Sequence, residues 1–209
     1  LSIDLVLGFA GIVTLGQGAF FGIGAYAAGL AAKYGMGTSL WSDPLIGLLV
    51  GGGVAAVIGF ASSFLVLRGS DMTRLMVTLG VALIVDEVVN QMKWLTGGSD
   101  GLQGVLPSAV LGILDFDLFG RVAYVYSLVV LFVLFVIARA LVKSPFGLSL
   151  QAIKGNQLRT RAIGMPVNAR LIAVYTVAAF YAGVAGGLAA QTTQFASPDY
   201  VAFHRSADA

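Results

Sequence analysis

Long uncharged stretches alternate with short charged ones along the whole chain. An α-helix rises 1.5 Å per residue, so about 20 apolar residues cross a hydrocarbon core of about 30 Å. Pro44 to Leu67 and Leu171 to Ala190 carry no charge, and each predicts one crossing. Val122 to Ala138 is shorter, but extends past Arg139 to Val142 if that side chain snorkels to the interface. Leu75 to Met92 is apolar apart from Asp86, Glu87, Asn90 and Gln91, and crosses only where those groups are sheltered. Leu5 to Ala32 is uncharged over 28 residues, long for one helix, with seven glycines and with Thr14 and Gln17 near its middle. That pattern predicts one broken helix, or two short ones meeting around Thr14 to Gly18, because irregular backbone at membrane depth needs shelter from protein or a water-filled cavity. The expected fold is an all-α, polytopic transmembrane bundle of about five or six spans, a single domain over residues 1–209. With Leu1 first and a polar stretch ending at Ala209, the reading is of a fragment lacking both natural termini and carrying no signal peptide.

Composition supports the same solvent. Of 209 residues, 58% are hydrophobic and 11% charged, where soluble domains carry roughly a quarter charged. The net charge of +2 does not argue for nucleic acid. With no cysteine and one histidine, His204, thiolate chemistry is excluded and no metal site is expected. The placement of charge is more informative than its sum. Stretches 68–74 and 139–170 hold Arg68, Arg74, Arg139, Lys143, Lys154, Arg159, Arg161 and Arg170, whereas Lys33, Lys93, Arg121 and Arg205 are spread over the alternate stretches. Asp43, Asp100, Asp115, Asp117, Asp199 and Asp208 gather on that second side. The positive-inside rule puts 68–74 and 139–170 in the cytoplasm.

The 28 glycines would each cost about 1 kcal/mol against Ala in a soluble helix. In lipid they permit close helix contact, and Gly18-x-x-x-Gly22, Gly47-x-x-x-Gly51 and Gly183-x-x-x-Gly187 predict such faces. Ala178, Ala182 and Gly186 extend the last stripe.

The segment SPFGLSLQAIKGNQLRTRAIGMP at 144–166 is too polar to cross and too patterned for a linker. Ser144 suits an N-cap, Pro145 the first helical position, and Gly164 followed by Pro166 a helix end. One amphipathic helix is predicted, with Leu148, Ala152, Gly155 and Ala162 on one stripe and Lys154, Gln157 and Arg161 opposite. Physics alone leaves it lying on the membrane surface, docked in a partner's groove, or solvated.

The spacing SPFG-x₄-AI-x₂-N-x₃-R-x₂-A-x-G resembles the coupling loop of ATP-binding-cassette importer permeases of the branched-chain amino acid type. Residues 5–28, 67–89, 94–105 and 196–200 are similar to the same family in the same order. Gln157 departs from it, since relatives often carry an acidic residue there. The resemblance implies a transport subunit rather than an enzyme, in the bacterial cytoplasmic (inner) membrane, surrounded by membrane lipid and binding no cofactor of its own. It implies three kinds of association: a paired homologous permease subunit, two cytoplasmic ABC ATPase subunits that use the ATP, and a periplasmic or extracellular substrate-binding protein. It places Pro145, Phe146, Gly147, Ala152, Asn156, Arg161, Ala162 and Gly164 against the ATPases. Import of urea or short-chain amides by a similar permease is the alternative, with an ATPase-independent secondary transporter behind it.

Translocation-pathway candidates are Gln17, Glu87 and Asn90. A charge at mid-membrane costs about 2.5–3.5 kcal/mol on insertion scales, so Asp86 and Glu87 need a polar lining or a hydrogen-bonding neighbour. Asp86 aligns with Asn90, and Glu87 with Gln91, at a spacing of four. The glycine-rich stretch Thr96 to Gly101 lacks the Gly-Lys-Ser/Thr ending of a phosphate loop, so it reads as receptor-facing surface together with Asp115, Asp117 and residues 197–209.

Overall fold

The computed structural model describes residues 1–14, 16–34, 43–67, 71–92, 101–103 and 121–196. The proposed receptor-facing stretches lie almost wholly outside these residues. A π-helical segment, Asp4–Phe9, leads the chain. The helices are α1 (Gln17–Tyr34), α2 (Pro44–Val66), α3 (Asp71–Gln91), α4 (Arg121–Lys143), α5 (Pro145–Gly155), α6 (Gln157–Ala162) and α7 (Val167–Thr193). Two short strands, β1 (Leu102–Gln103) and β2 (Phe195–Ala196), pair antiparallel with Leu102 opposite Ala196. This small ribbon fastens the segment before α4 to the end of α7.

The first apolar stretch is broken. Helical geometry ends at Phe9 and resumes at Gln17, and Gly11 between them takes φ +68°. A left-handed residue is strained for any side chain with a Cβ, which is why glycine occupies the turn.

Among the described residues, α2, α4 and α7 are long and apolar enough to cross a membrane. The five or six spans expected from the sequence therefore rest on counting α1 and α3 as well. α1 has 18 residues, with Gln17 and Lys33 near its ends, and packs against both α2 and α7. α3 carries Asp71, Arg74, Asp86 and Glu87 over 21 residues and runs beside α1. At 27 residues α7 is about 40 Å long, so its ends project beyond the hydrocarbon core.

α1, α2 and α7 touch backbone to backbone. A Cβ at Gly24 would fall on the carbonyl of Gly183, one at Gly186 on the carbonyl of Phe21, and one at Gly51 at 2.7 Å from the Gly24 carbonyl oxygen. Gly59 meets the methyl of Ala179 in the same way. The core follows from this geometry: Phe20 and Tyr175 stack edge-to-face at 5.7 Å, enclosed with Ala55, Ala178 and Ala182. At one end of the bundle the cluster gathers Leu5, Val6, Ile12, Val66, Leu150, Ile153 and Val167. At the other, Ala25, Tyr26, Val89, Leu102, Ala190 and Ala196 pack together. The end of α2 at Val66 and the α4–α7 loop thus share one end.

α4 is the least enclosed helix, with only Tyr126 and Ala138 buried. Two hydrogen bonds hold it to α7. The Tyr181 hydroxyl donates to the Leu134 carbonyl at 3.0 Å, and the Tyr126 hydroxyl donates to Gln191 Oε1 at 3.1 Å. Gln191 Nε2 in turn donates to the Pro44 carbonyl at 2.8 Å, so one buried amide joins α4, α7 and α2. Gln191→Leu removes both bonds, and a cost of about 1–2 kcal/mol is expected for polar pairs inside a membrane bundle. Thermal unfolding in detergent should show a lower midpoint, with Tyr126→Phe giving part of the drop. Midpoints equal to wild type in both variants would mean that α4 is held by other contacts.

Candidate functional site: the loop between α4 and α7

The chain turns sharply out of α4. Ser144 sits at the N-cap position of α5, but its hydroxyl donates back to the Leu141 carbonyl at 2.5 Å and leaves the α5 amides uncapped. Pro145 follows at the first helical position, exposed. Gly147 is buried, and a Cβ there would fall on the Val142 carbonyl, so the turn closes only around glycine. Phe146 is half-buried against the core, with the Arg170 guanidinium 5.4 Å from its ring centroid. That cation–π contact ties α5 to the start of α7.

The single helix expected over this loop is two helices. Asn156 adopts extended backbone, φ −159° and ψ 107°, and breaks the run. Its own side chain accepts from the Arg159 amide at 3.0 Å and so N-caps α6. The Thr160 hydroxyl lies 3.0 Å from the Ala152 carbonyl and 2.8 Å from that of Asn156, pinning α6 back on α5. The adjacent pair Gly155-Asn156, a helix terminator followed by a capping residue three positions before Arg159, was the available signal.

α6 ends in a Schellman motif. The Gly164 amide donates to the Arg161 carbonyl at 2.9 Å, the Met165 amide donates to the Thr160 carbonyl at 3.3 Å, and Gly164 has φ +84°. The Arg161 guanidinium donates to Asn168 Oδ1 at 3.2 Å, linking α6 to α7.

The loop therefore has two faces. Inward lie Phe146, Gly147, Ser149, Leu150, Ile153 and Thr160. Outward lie Pro145, Ala152, Asn156, Arg161, Ala162 and Gly164. With them stand three large apolar side chains at an end of the bundle rich in Lys and Arg: Leu148 at 63% exposure, Leu158 at 77% and Ile163 at 75%. Leu158 and Ile163 were not singled out in the sequence, where the apolar stripe was drawn on one unbroken helix.

The three pathway candidates are not brought together. Gln17 is buried: its Oε1 lies 2.9 Å from the Ser2 hydroxyl, and its Nε2 donates to Thr14 at 3.5 Å. It lines a cavity of about 520 Å³ with Ser2, Phe21, Leu134, Tyr181 and Leu188. Glu87 is exposed and accepts from Gln91 at 2.8 Å, while Asn90 donates to Asp86 at 3.4 Å. Gly16 packs at Thr78, twelve residues before Asn90, so Gln17 and Asn90 are about 18 Å apart along α3. Among the described residues no cluster of His, Cys, Asp or Glu has the make-up of a metal site.

Comparison with known proteins places these features in one family. The model for the branched-chain amino acid transport system / permease component matches residues 1–208. The high-affinity branched-chain amino acid transport system permease protein LivM of Escherichia coli K12 is 30% identical over 230 residues, covering 99% of this chain and 52% of its own. LivM of Salmonella typhimurium gives the same identity and coverage. The fructose import permease protein FruF of Bifidobacterium longum is 27% identical over 184 residues, covering 87% of this chain and 48% of its own. The chain thus spans about half the length of the curated relatives it matches. No solved structure matches at a significant level. With a family match along its length and an all-helical, multi-pass bundle, the chain belongs to the branched-chain amino acid transport system permease family.

Proposed function

We propose that this chain is the membrane-embedded part of an importer permease for branched-chain amino acids, working by alternating access and driven by ATP hydrolysis in partner subunits. In this reading it lies in the bacterial cytoplasmic (inner) membrane beside a paired permease. Two cytoplasmic ATPases dock on residues 144–166, and an external binding protein delivers substrate. The family description and both LivM relatives support the amino acid class. The fructose permease among the relatives supports import more broadly than any one substrate.

The observation that carries the reading is the outward exposure of Leu148, Leu158 and Ile163 on a loop fixed from behind by Leu150, Ile153, Phe146 and Thr160. Large apolar side chains exposed in this way, backed by a buried cluster and close in sequence to Arg159 and Arg161, have the make-up of a protein-docking surface. Burying one such side chain contributes about 1.5–3 kcal/mol. The double variant Leu158→Asp with Ile163→Asp should therefore weaken ATPase co-purification by roughly tenfold or more and abolish uptake, with membrane insertion unchanged. Wild-type co-purification and uptake in that variant would remove the docking assignment.

A further inference from the structure

α5 reaches inward as well as outward. Leu150 and Ile153 are fully enclosed in the same cluster as Leu5, Val6, Ala10 and Ile12, the residues flanking the break in the first helix. A helix that stops leaves its last carbonyls without intrahelical donors. Lys154 supplies one, its Nζ donating to the Gly8 carbonyl at 2.7 Å. The lysine stem crosses Gly11, where an added Cβ would lie 2.9 Å from Lys154 Cγ. A cation over the C-terminal carbonyls of a helical segment is also favoured by the segment's dipole. Beyond the break the chain re-enters helix at Gln17, on the wall of the 520 Å³ cavity.

We propose that Lys154 is a positioning residue that carries displacement of α5 to the end of the first helical segment at Gly8, and through the break that follows it to Gln17. The inference rests on reading residues 144–166 as the ATPase-docking loop. The apolar contacts of Leu150 and Ile153 are non-directional and tolerate sliding. A charge-assisted hydrogen bond fixes register, so α5 and the Gly8 carbonyl move as one body. Its place beside the single left-handed glycine of the break puts that force where the backbone turns most easily.

The test uses the complete transporter, reconstituted with its ATPases and binding protein. Lys154→Met keeps the stem and removes the ammonium; Lys154→Arg restores a cation. Lys154→Met should insert and accumulate as wild type does. Its uptake per ATP should fall roughly tenfold, within the usual range of couplings between sites, and Lys154→Arg should recover most of it. Spin labels supply a second readout. A label pair at Val13 and Val57 should change separation on ATP binding in wild type and not in Lys154→Met. A pair at Gln151 and Val57 should respond in both. Normal uptake in Lys154→Met, a preserved Val13 response, or failure of that variant to accumulate would each overturn the inference. Failure of the docking reading is seen separately, as ATPases that co-purify normally with the Leu158 and Ile163 variant.

Discussion

Gly186→Val should all but eliminate folded protein from the membrane. The glycine lies in α7 where α1 crosses it, and a Cβ there would coincide with the Phe21 carbonyl and come within 2.9 Å of the Ala25 amide nitrogen. Ordinary carbon–oxygen contacts between helices lie at roughly 3.3–3.6 Å, so α1 and α7 would have to separate. Neither obstacle is a side chain that can rotate away. Separation would also open the neighbouring contacts, since Gly24 meets Gly183 and Gly51 meets Gly24 in the same seam. Overpacking a core costs typically about 1–3 kcal/mol when side chains can adjust, and more is expected where only backbone can yield. Gly53→Val and Gly80→Val are the controls, because a Cβ at either position meets nothing within 4 Å. Accumulation of the three variants, read by fluorescence-detection chromatography in detergent, should leave the controls near wild type and Gly186→Val at roughly a tenth or less. Equal yields would show that the three-helix seam is looser than its geometry implies.

That seam marks where sequence reading reaches its limit. Gly47, Gly51, Gly183 and Gly187 stand out by their spacing of four, and all four do meet close neighbours. Gly24, Gly59 and Gly186 are as tightly met, yet only the last falls on a recognised stripe. Spacing reports that one helix can present a small face. Which glycine receives a backbone depends on crossing angle and register, and these belong to two helices at once. The same division holds in the α4–α7 loop. Pro145, Gly164 and Pro166 act locally, and the structure finds them at a helix start, a Schellman turn and the entry to α7. Asn156 is local as well: it caps the Arg159 amide three residues on, and Gly155 before it is the signal for the break. Lys154 reads as solvated and is exposed, but its ammonium donates to the Gly8 carbonyl, a partner 146 residues away that no local pattern announces. Glu87 and Asn90 look like a pathway because polar residues in an apolar run are rare, but their nearest partners are Gln91 and Asp86 on their own helix.

Gly147→Ala separates two explanations for a glycine in the loop. The family resemblance sets Gly147 against the ATPases, whereas the structure buries it against its own chain. In an open helix the change would stabilise by up to about 1 kcal/mol, because glycine is the poorer helix former. Here the new methyl would fall on the Val142 carbonyl, in the turn that carries α4 into α5. Relief requires α5 to swing away from α4, which drags Leu150 and Ile153 out of the core and displaces the outward face of the loop. A net loss of about 2–3 kcal/mol is expected, with a lower thermal midpoint of the permease alone in detergent. Gly155→Ala is the matched control: it sits at the other end of α5 with nothing within 4 Å of its Cβ, and should be neutral or slightly stabilising. The decisive measurement is made without the ATPases. If Gly147 serves only to fit a partner, the isolated Gly147→Ala protein keeps the midpoint of Gly155→Ala. If glycine is needed to close the turn, the isolated protein is already destabilised, and any loss of ATPase binding follows from a displaced loop face.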